Sequence, residues 1–484
     1  MLERHAAGDA LPSILSEVLA ALALPPDAGE RLTVTGAENL PSCFPVTALA
    51  TAAIGAAGLA VSELLGLFGH APDVRVDRHL ASAWFGTSLR PCGWTIPAAW
   101  DPIAGDYRTA DGWIRLHTNA PHHRAAALAV LDCPGERDTV AAALAGKAAE
   151  PLEAAILRAG GCAAAMRSPE AWQRLDQGQA VRVEPLVSIA AMSGHRPSLW
   201  RPDPARPLAG IRVLDLTRIL AGPVATRFLA GLGAEVLRID PPGWNEPSLA
   251  PDITLGKRCT RLDLHRAADR RQFETLLAEA DILVHGYRPG ALDRVGYGEA
   301  GRRVLNPDLI DVALCAYGWT GPWAGRRGFD SLVQMATGIA AAGQRWKMAD
   351  RPVPLPVQAL DHATGYLMAA ASLRGLIARL RDGQAVTAKL SLARTAGLLT
   401  DHAGGAPGSA FSGYQDRDFA PEIEHTAWGH ALRLHGLVRI DGAPLRWDRP
   451  ACALGSTEAA QVRHFAGAPF SGASTRPEEV RHGR

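Results

Sequence analysis

Hydrophobic and polar positions fall into two textures along this chain. From residue 210 onward, short apolar runs alternate with longer helical stretches. Ile211-Arg-Val-Leu-Asp-Leu216 reads as a buried strand, Pro223 to Leu232 as a helix closed by Gly233, and Glu235-Val-Leu-Arg-Ile239 as a second strand. A helix around 266–280 leads into Ile282-Leu-Val284, and Leu309-Ile-Asp-Val-Ala313 supplies a further strand. Strands alternating with helices at this spacing predict an α/β fold built on a Rossmann-like, doubly wound parallel sheet.

Upstream the pattern differs. Residues 10–69 read as mostly helical, and Asp106–Leu116 as a hairpin turning at Asp111-Gly112. Helices at about 137–145 and 151–160 complete a smaller α+β domain. Pro197 to Pro207 holds four prolines in eleven residues and reads as a linker. The expected division is therefore 1–200, 207–460, and a mobile tail over 461–484.

Composition narrows the class. The net charge of +1 gives no electrostatic case for nucleic acid or a membrane surface, and neither is an expected partner. The apolar stretch 46–69 is interrupted by Thr47, Thr51, Ser62 and Glu63, which predicts a buried helix rather than a membrane span. Seven scattered cysteines without a Cys-x-x-Cys pair fit free thiols in the cytosol better than disulfides or a zinc site, so no metal is expected. No signal peptide opens the chain, in keeping with a cytoplasmic protein. Four lysines (147, 257, 347 and 389) stand among 50 basic residues, so any single arginine carries little information.

Asp361, in Pro356-Val-Gln-Ala-Leu-Asp-His-Ala-Thr-Gly365, opens an Ala-rich helical run. Unpaired N–H groups and the positive end of the dipole favour an ionised carboxylate there, and an ionised carboxylate can act as a nucleophile. An ordinary helix cap is the alternative. The segment Pro45–Gly55 echoes Pro356–Gly365, with Ala50 or Thr51 where the second copy has Asp361.

Several motifs in order give this stretch a family resemblance. Gly210–Pro223 followed by Leu232-Gly-Ala-Glu-Val236, Gly256-Lys-Arg258 with Leu262-Asp-Leu264, Arg288-Pro-Gly290, Gly318-Trp-Thr-Gly-Pro322 and the Asp361 segment resemble the family III CoA-transferases, the CaiB/BaiF group that includes formyl-CoA transferase. Gly105–Ile114 and Ala163–Pro169 resemble that family's small domain, which here precedes the Rossmann-like part. The order suggests two fused, shortened copies or one permuted copy.

The resemblance implies transfer of CoA from an acyl-CoA donor to a carboxylic acid acceptor, with coenzyme A as substrate and no permanently bound cofactor. It implies Asp361 as the catalytic nucleophile, passing through an aspartyl-CoA thioester. Leu220, Ala221 and Gly222 would line the CoA path, Lys257, Arg258 and Arg294 would meet its phosphates, and amides near His362 to Gly365 would hold an oxyanion. Pro241 and Gly286 depart from the basic residue and the asparagine the family pattern has there. A homodimer is implied as well. His362 is read as a packing residue or an acyl-orienting one, and Trp319 and Trp323 as core aromatics or pocket walls.

Three other functions stand beside this one on the residues. A racemase of the same fold carries Gly-His-Asp where this chain has Gly328-Phe329-Asp330, so one base is missing. An NAD enzyme lacks its glycine fingerprint, since Thr217-Arg-Ile-Leu-Ala-Gly222 follows the first strand. A degenerate, CoA-binding or partner-dependent subunit remains the alternative.

Overall fold

The computed structural model describes residues 8–192, 199–404, 408–462 and 464–465. Its centre is a seven-stranded sheet of β1 (Ser188–Met192), β2 (Arg212–Leu216), β3 (Glu235–Asp240), β4 (Lys257–Arg261), β5 (Ile282–His285), β6 (Ile310–Cys315) and β7 (Ala385–Ser391). The order across the sheet is β4-β3-β2-β5-β6-β7-β1. All neighbours from β4 to β7 are parallel, and β1 closes the edge antiparallel to β7. Four of these strands are the predicted apolar runs, which are buried on both faces because helices cover a parallel sheet on both sides. The strand order reverses between β2 and β5. That switch point opens a crevice at the carboxyl ends of the strands.

The helix α1 (Val46–Gly66) is buried along nearly its whole length, as expected for 46–69. By length and composition alone it could cross a membrane, but its place is the core. It lies alongside α4 (Ala359–Asp382), which also crosses α2 (Ala221–Gly231). A further helix, α3 (Asp330–Ala336), precedes α4. Glycine sets the α4–α2 crossing, because a β-carbon on Gly365 would overlap the carbonyl oxygen of Ala221 and stand 2.9 Å from Val224 Cβ. The two helices therefore meet backbone to backbone.

The sequence echo has a structural counterpart. After α1 come a strand, Val74–Asp77, and a helix whose first turn is capped by Asp77, accepting from the N–H groups of His79 and Leu80 at 2.9 and 3.1 Å. After α4 come β7 and a helix capped by Ser391, accepting from Arg394 N–H at 3.2 Å. Helix, strand and capped helix recur in that order.

The stretches on either side of 197–207 are tied together. β1 joins the main sheet, Arg439–Ile440 pairs with Val74–Arg75, and Gly429–Leu434 pairs with Leu89–Pro91. Of the proline-rich linker, 197 and 198 lie outside the described residues. The small unit follows its prediction: Gly105–Arg108 and Trp113–Leu116 form the hairpin, Ala163–Ala165 adds a third strand, and helices Arg137–Ala145 and Ala149–Arg158 pack beside it. The segment expected as a mobile tail from 461 is packed at its start. Val462 and Phe465 are fully buried beside Phe273 and Leu276, an apolar gain that holds the chain down; residues 466–484 lie outside the described residues.

Gly365→Ala should destabilise the protein by about 1–3 kcal/mol, the cost of overpacking against backbone. Gly112→Ala, with open space around it, should be near neutral. Urea denaturation of both variants measures the difference.

Candidate active site

The crevice at the switch point is shaped by the turn from β2 into α2. Ile219 adopts φ +67, a left-handed conformation that a β-branched residue rarely takes. Its N–H donates to Glu246 Oε1 at 2.7 Å, and Glu246 also accepts from Trp244 Nε1 at 2.8 Å and Arg238 Nη2 at 2.7 Å. The strained turn is thus held from outside. Gly222 is required because a β-carbon would run into the Thr217 side chain.

Beneath the turn sits a buried ion pair. Lys257 Nζ lies 2.9 Å from Asp215 Oδ2 and donates to Thr226 Oγ1 at 2.7 Å and the Pro223 carbonyl at 3.0 Å. Burial alone would raise Asp215, but Lys257, Arg238 and the hydroxyls of Thr217 and Thr226 together outweigh it and hold the carboxyl below its ordinary value. All three ammonium protons are used in the interior, so Lys257 is not free to meet a phosphate. Arg258 is committed as well, to the Glu235 carboxylate and the Phe465 carbonyl. These two expected phosphate partners are structural. Arg294 is exposed on the turn Asp293–Val295, outside the crevice lining though its charge acts on Arg288. Leu220 and Gly222 lie buried behind the turn, while Ala221 faces the crevice.

That crevice is a cavity of about 340 Å³ lined by Asp361, Ala221, Phe329, Arg218, Arg288 and Arg327 among others. It shares Ile219, Trp244, His122 and Phe329 with a second cavity of about 670 Å³, walled by Trp100, His117 and Asn119 of the small unit and by the loop after β3. The two form one cleft between the sheet and the small unit. Pro241, at the start of that loop, is part of the wall, and Gly286 lines the inner cavity.

The cationic residues at the cleft are ones the sequence reading passed over. Arg218 donates to Tyr287 Oη at 2.8 Å and lies over the Trp244 ring at 4.9 Å. Arg288 donates to the Gly325 carbonyl at 3.2 Å and Arg327 to the Gly160 carbonyl at 2.9 Å. Among the described residues none of the three has a carboxylate within ion-pair distance. Burial and the neighbouring charge of Arg327 lower Arg288 below its ordinary value. A cleft with unneutralised guanidinium groups suits an anionic ligand. Arg288 stood inside the Arg-Pro-Gly motif and Arg218 inside Gly210–Pro223, but nothing in an arginine-rich sequence distinguished Arg327.

Asp361 reaches the cleft from the first turn of α4 and is only 7% exposed. Its charge state differs from the expectation. The Asp361 N–H donates to Asp330 Oδ2 at 2.9 Å, so Asp330, not Asp361, takes up the helix N-terminus. Burial and the Asp330 charge push Asp361 well above the ordinary carboxylate range, and burial pushes Asp330 to about 6. The amides expected to hold an oxyanion are occupied too: His362 N–H donates to the Gln358 carbonyl at 3.1 Å, and the residues after it are inside the helix.

His362 points away from the cleft and stacks on Phe85 with ring centroids 5.1 Å apart. Burial lowers it to about 3, so it packs as a neutral ring. Trp319 donates to the Leu390 carbonyl at 2.9 Å, and Trp323 lies under Arg326 and beside Tyr317. Both tryptophans are structural.

Residues 208–421 match the family model described as CoA-transferase family III. The "Acetyl-coenzyme A transferase nodX" of Hypoxylon pulicicidum is 34% identical over 226 residues, covering 43% of this chain and 38% of that protein. The "Probable fatty acyl-CoA transferase Rv3272" of Mycobacterium tuberculosis is 33% identical over 204 residues, covering 39% of this chain and 51% of that one. The "Succinyl-CoA:glutarate CoA-transferase" of Mus musculus is 33% identical over 196 residues, covering 38% of this chain and 44% of its own. The chain spans about half or less of the length of these curated relatives.

Lys257→Met leaves Asp215 buried and unpaired, and should cost about 3–5 kcal/mol in urea denaturation. Asp215→Asn/Lys257→Met should recover part of that loss. A role in phosphate binding would instead leave stability near wild type.

Proposed function

We propose, from the match of residues 208–421 to the CoA-transferase family III model, that this chain belongs to that family and moves coenzyme A from an acyl-CoA to a free carboxylic acid with Asp361 as nucleophile. The observation that carries the reading is the position of Asp361. It is the acidic side chain facing into the inner cavity, at the switch point of the sheet, beside three arginines without counter-ions.

The chemistry follows from a carboxylate in that place. An Asp361 oxygen attacks the thioester carbonyl; a C–O bond forms, the C–S bond breaks, and CoA leaves as thiolate. The thiolate then attacks Asp361 Cγ, forming the aspartyl-CoA thioester and releasing the donor's acid. The acceptor carboxylate attacks that thioester and CoA leaves again. It returns to the acceptor's carbonyl and frees Asp361. Each step exchanges one activated acyl bond for another. The arginines would hold the anionic substrate while burial keeps water from the anhydride. A homodimer belongs to the same reading, carried by the family resemblance, and a cytoplasmic location is carried by the scattered free cysteines.

A second reading has an observation behind it. Burial and the Asp330 charge hold the Asp361 carboxyl well above the ordinary carboxylate range, which would suit a subunit that binds CoA without turning it over.

Intact-protein mass spectrometry separates the two. Wild type mixed with a panel of acyl-CoAs should gain a CoA-sized adduct that hydroxylamine removes, and Asp361→Ala should gain none. Turnover in Asp361→Ala should fall by on the order of a thousandfold or more. CoA bound only non-covalently with every donor would sink the transferase in favour of the binding subunit.

A further inference from the structure

We propose that Asp330 is a positioning residue for Asp361: it holds the start of α4 through its backbone and shares a single proton with the Asp361 carboxyl. The inference rests on the nucleophilic role of Asp361 and adds how that role is switched on.

The geometry comes first. Asp330 follows Gly328 and Phe329, both on the cleft wall, and is wholly buried. Phe329 is pinned by the His117 ring, with centroids 3.7 Å apart and planes nearly parallel at 5°. From this fixed position Asp330 Oδ2 accepts the Asp361 N–H at 2.9 Å, and Oδ1 accepts from Gln334 Nε2. Gln334 Oε1 in turn accepts the Leu355 N–H at 2.7 Å, on the segment that leads into α4. One buried carboxylate therefore ties together α3, the approach to α4 and the residue that carries the nucleophile.

The charges facing the pair come from every element around it. Arg115, on the hairpin strand Trp113–Leu116, acts on Asp330 but pairs with Asp106 at 2.7 Å. The cleft presents Arg218, Arg288, Arg326 and Arg327, together with His122 and His123. On the far side of α4, His362 faces Arg227 and Asp252. Among the described residues no cation lies within ion-pair distance of either Asp330 or Asp361. Two carboxyls without a counter-ion cannot both ionise at ordinary cost, so they titrate as a pair.

The consequence follows the sign of the interaction. With one proton in the pair, the amides at the helix start stabilise the charge on Asp330, and Asp361 keeps the proton. Asp361 attacks as carboxylate only when that proton has left it. Activity is thus present at pH above the pair's upper titration and is lost as pH falls through it. Replacing Asp330 by a neutral isostere that still accepts the amide removes the repulsion, and Asp361 then ionises at lower pH.

The test titrates protein labelled with ¹³C at aspartate Cγ by NMR, the Asp361 resonance being the one missing in Asp361→Asn. In wild type it should titrate above the ordinary carboxylate range. In Asp330→Asn, which keeps an acceptor for the Asp361 N–H, it should move down by about one unit or more, and the acid limb of adduct formation should move with it. Gln334→Leu, which withdraws a donor from Asp330, should move it the same way by less, and serves if Asp330→Asn does not fold. An Asp361 resonance that titrates at the same pH in the folded variants would overturn the proposal and leave Asp330 as a helix cap. A downward move without any CoA adduct would uphold the pair and overturn the transferase reading.

Discussion

Everything at the cleft depends on how closely α4 can approach α2. At Gly365 the two helices touch with no side chain between them, and the Ala221 carbonyl occupies the space a β-carbon would need. This contact brings the first turn of α4 against the strained turn that follows β2. Without it, the carboxyl of Asp361 would not stand among groups that come from β2, β5 and the small unit. The strain at Ile219 and the missing side chain at Gly222 shape that turn, and Glu246 holds it from the outside.

Arginine does two different jobs in this protein. Arg227, Arg238 and Arg302 are buried in fixed pairs with Asp252, Asp240 and Asp311. Arg218, Arg288 and Arg327 face the cleft without such partners. Guanidinium suits both settings, since its planar fork satisfies buried carboxylates and also offers unclaimed donors to a ligand. These buried arginines are neutralised by carboxylates, and those at the cleft are not.

The alternation of strands and helices after residue 210 was legible because burial on both faces demands continuous apolar runs, a pattern that local sequence carries. The strand Lys257–Arg261 was not, since only Cys259 in it is apolar; its side chains are buried through pairing, which a linear pattern does not show. Asp361 was found from its place at a helix start and from the motif around it. Its charge state was misread because Asp330, which takes the amides, lies in another element. The roles of Lys257 and Arg258 were misread for a similar reason: a basic residue in a motif looks the same whether its partner is a phosphate or an interior carboxylate. Phe329, read only as a missing histidine, turned out to be a wall of the cleft.

The helix α1 is apolar on every face, and its main neighbour α4 begins about 300 residues later in the chain. At ribosomal speeds of 5–20 residues per second that separation lasts roughly 15 to 60 s. During that interval α1 has only its local neighbours, Leu11–Ala21, Val74–Asp77 and Arg78–Trp84, against it, and the face that α4 covers stays open. In this protein the order of synthesis leaves the most apolar helix waiting for the half that carries Asp361.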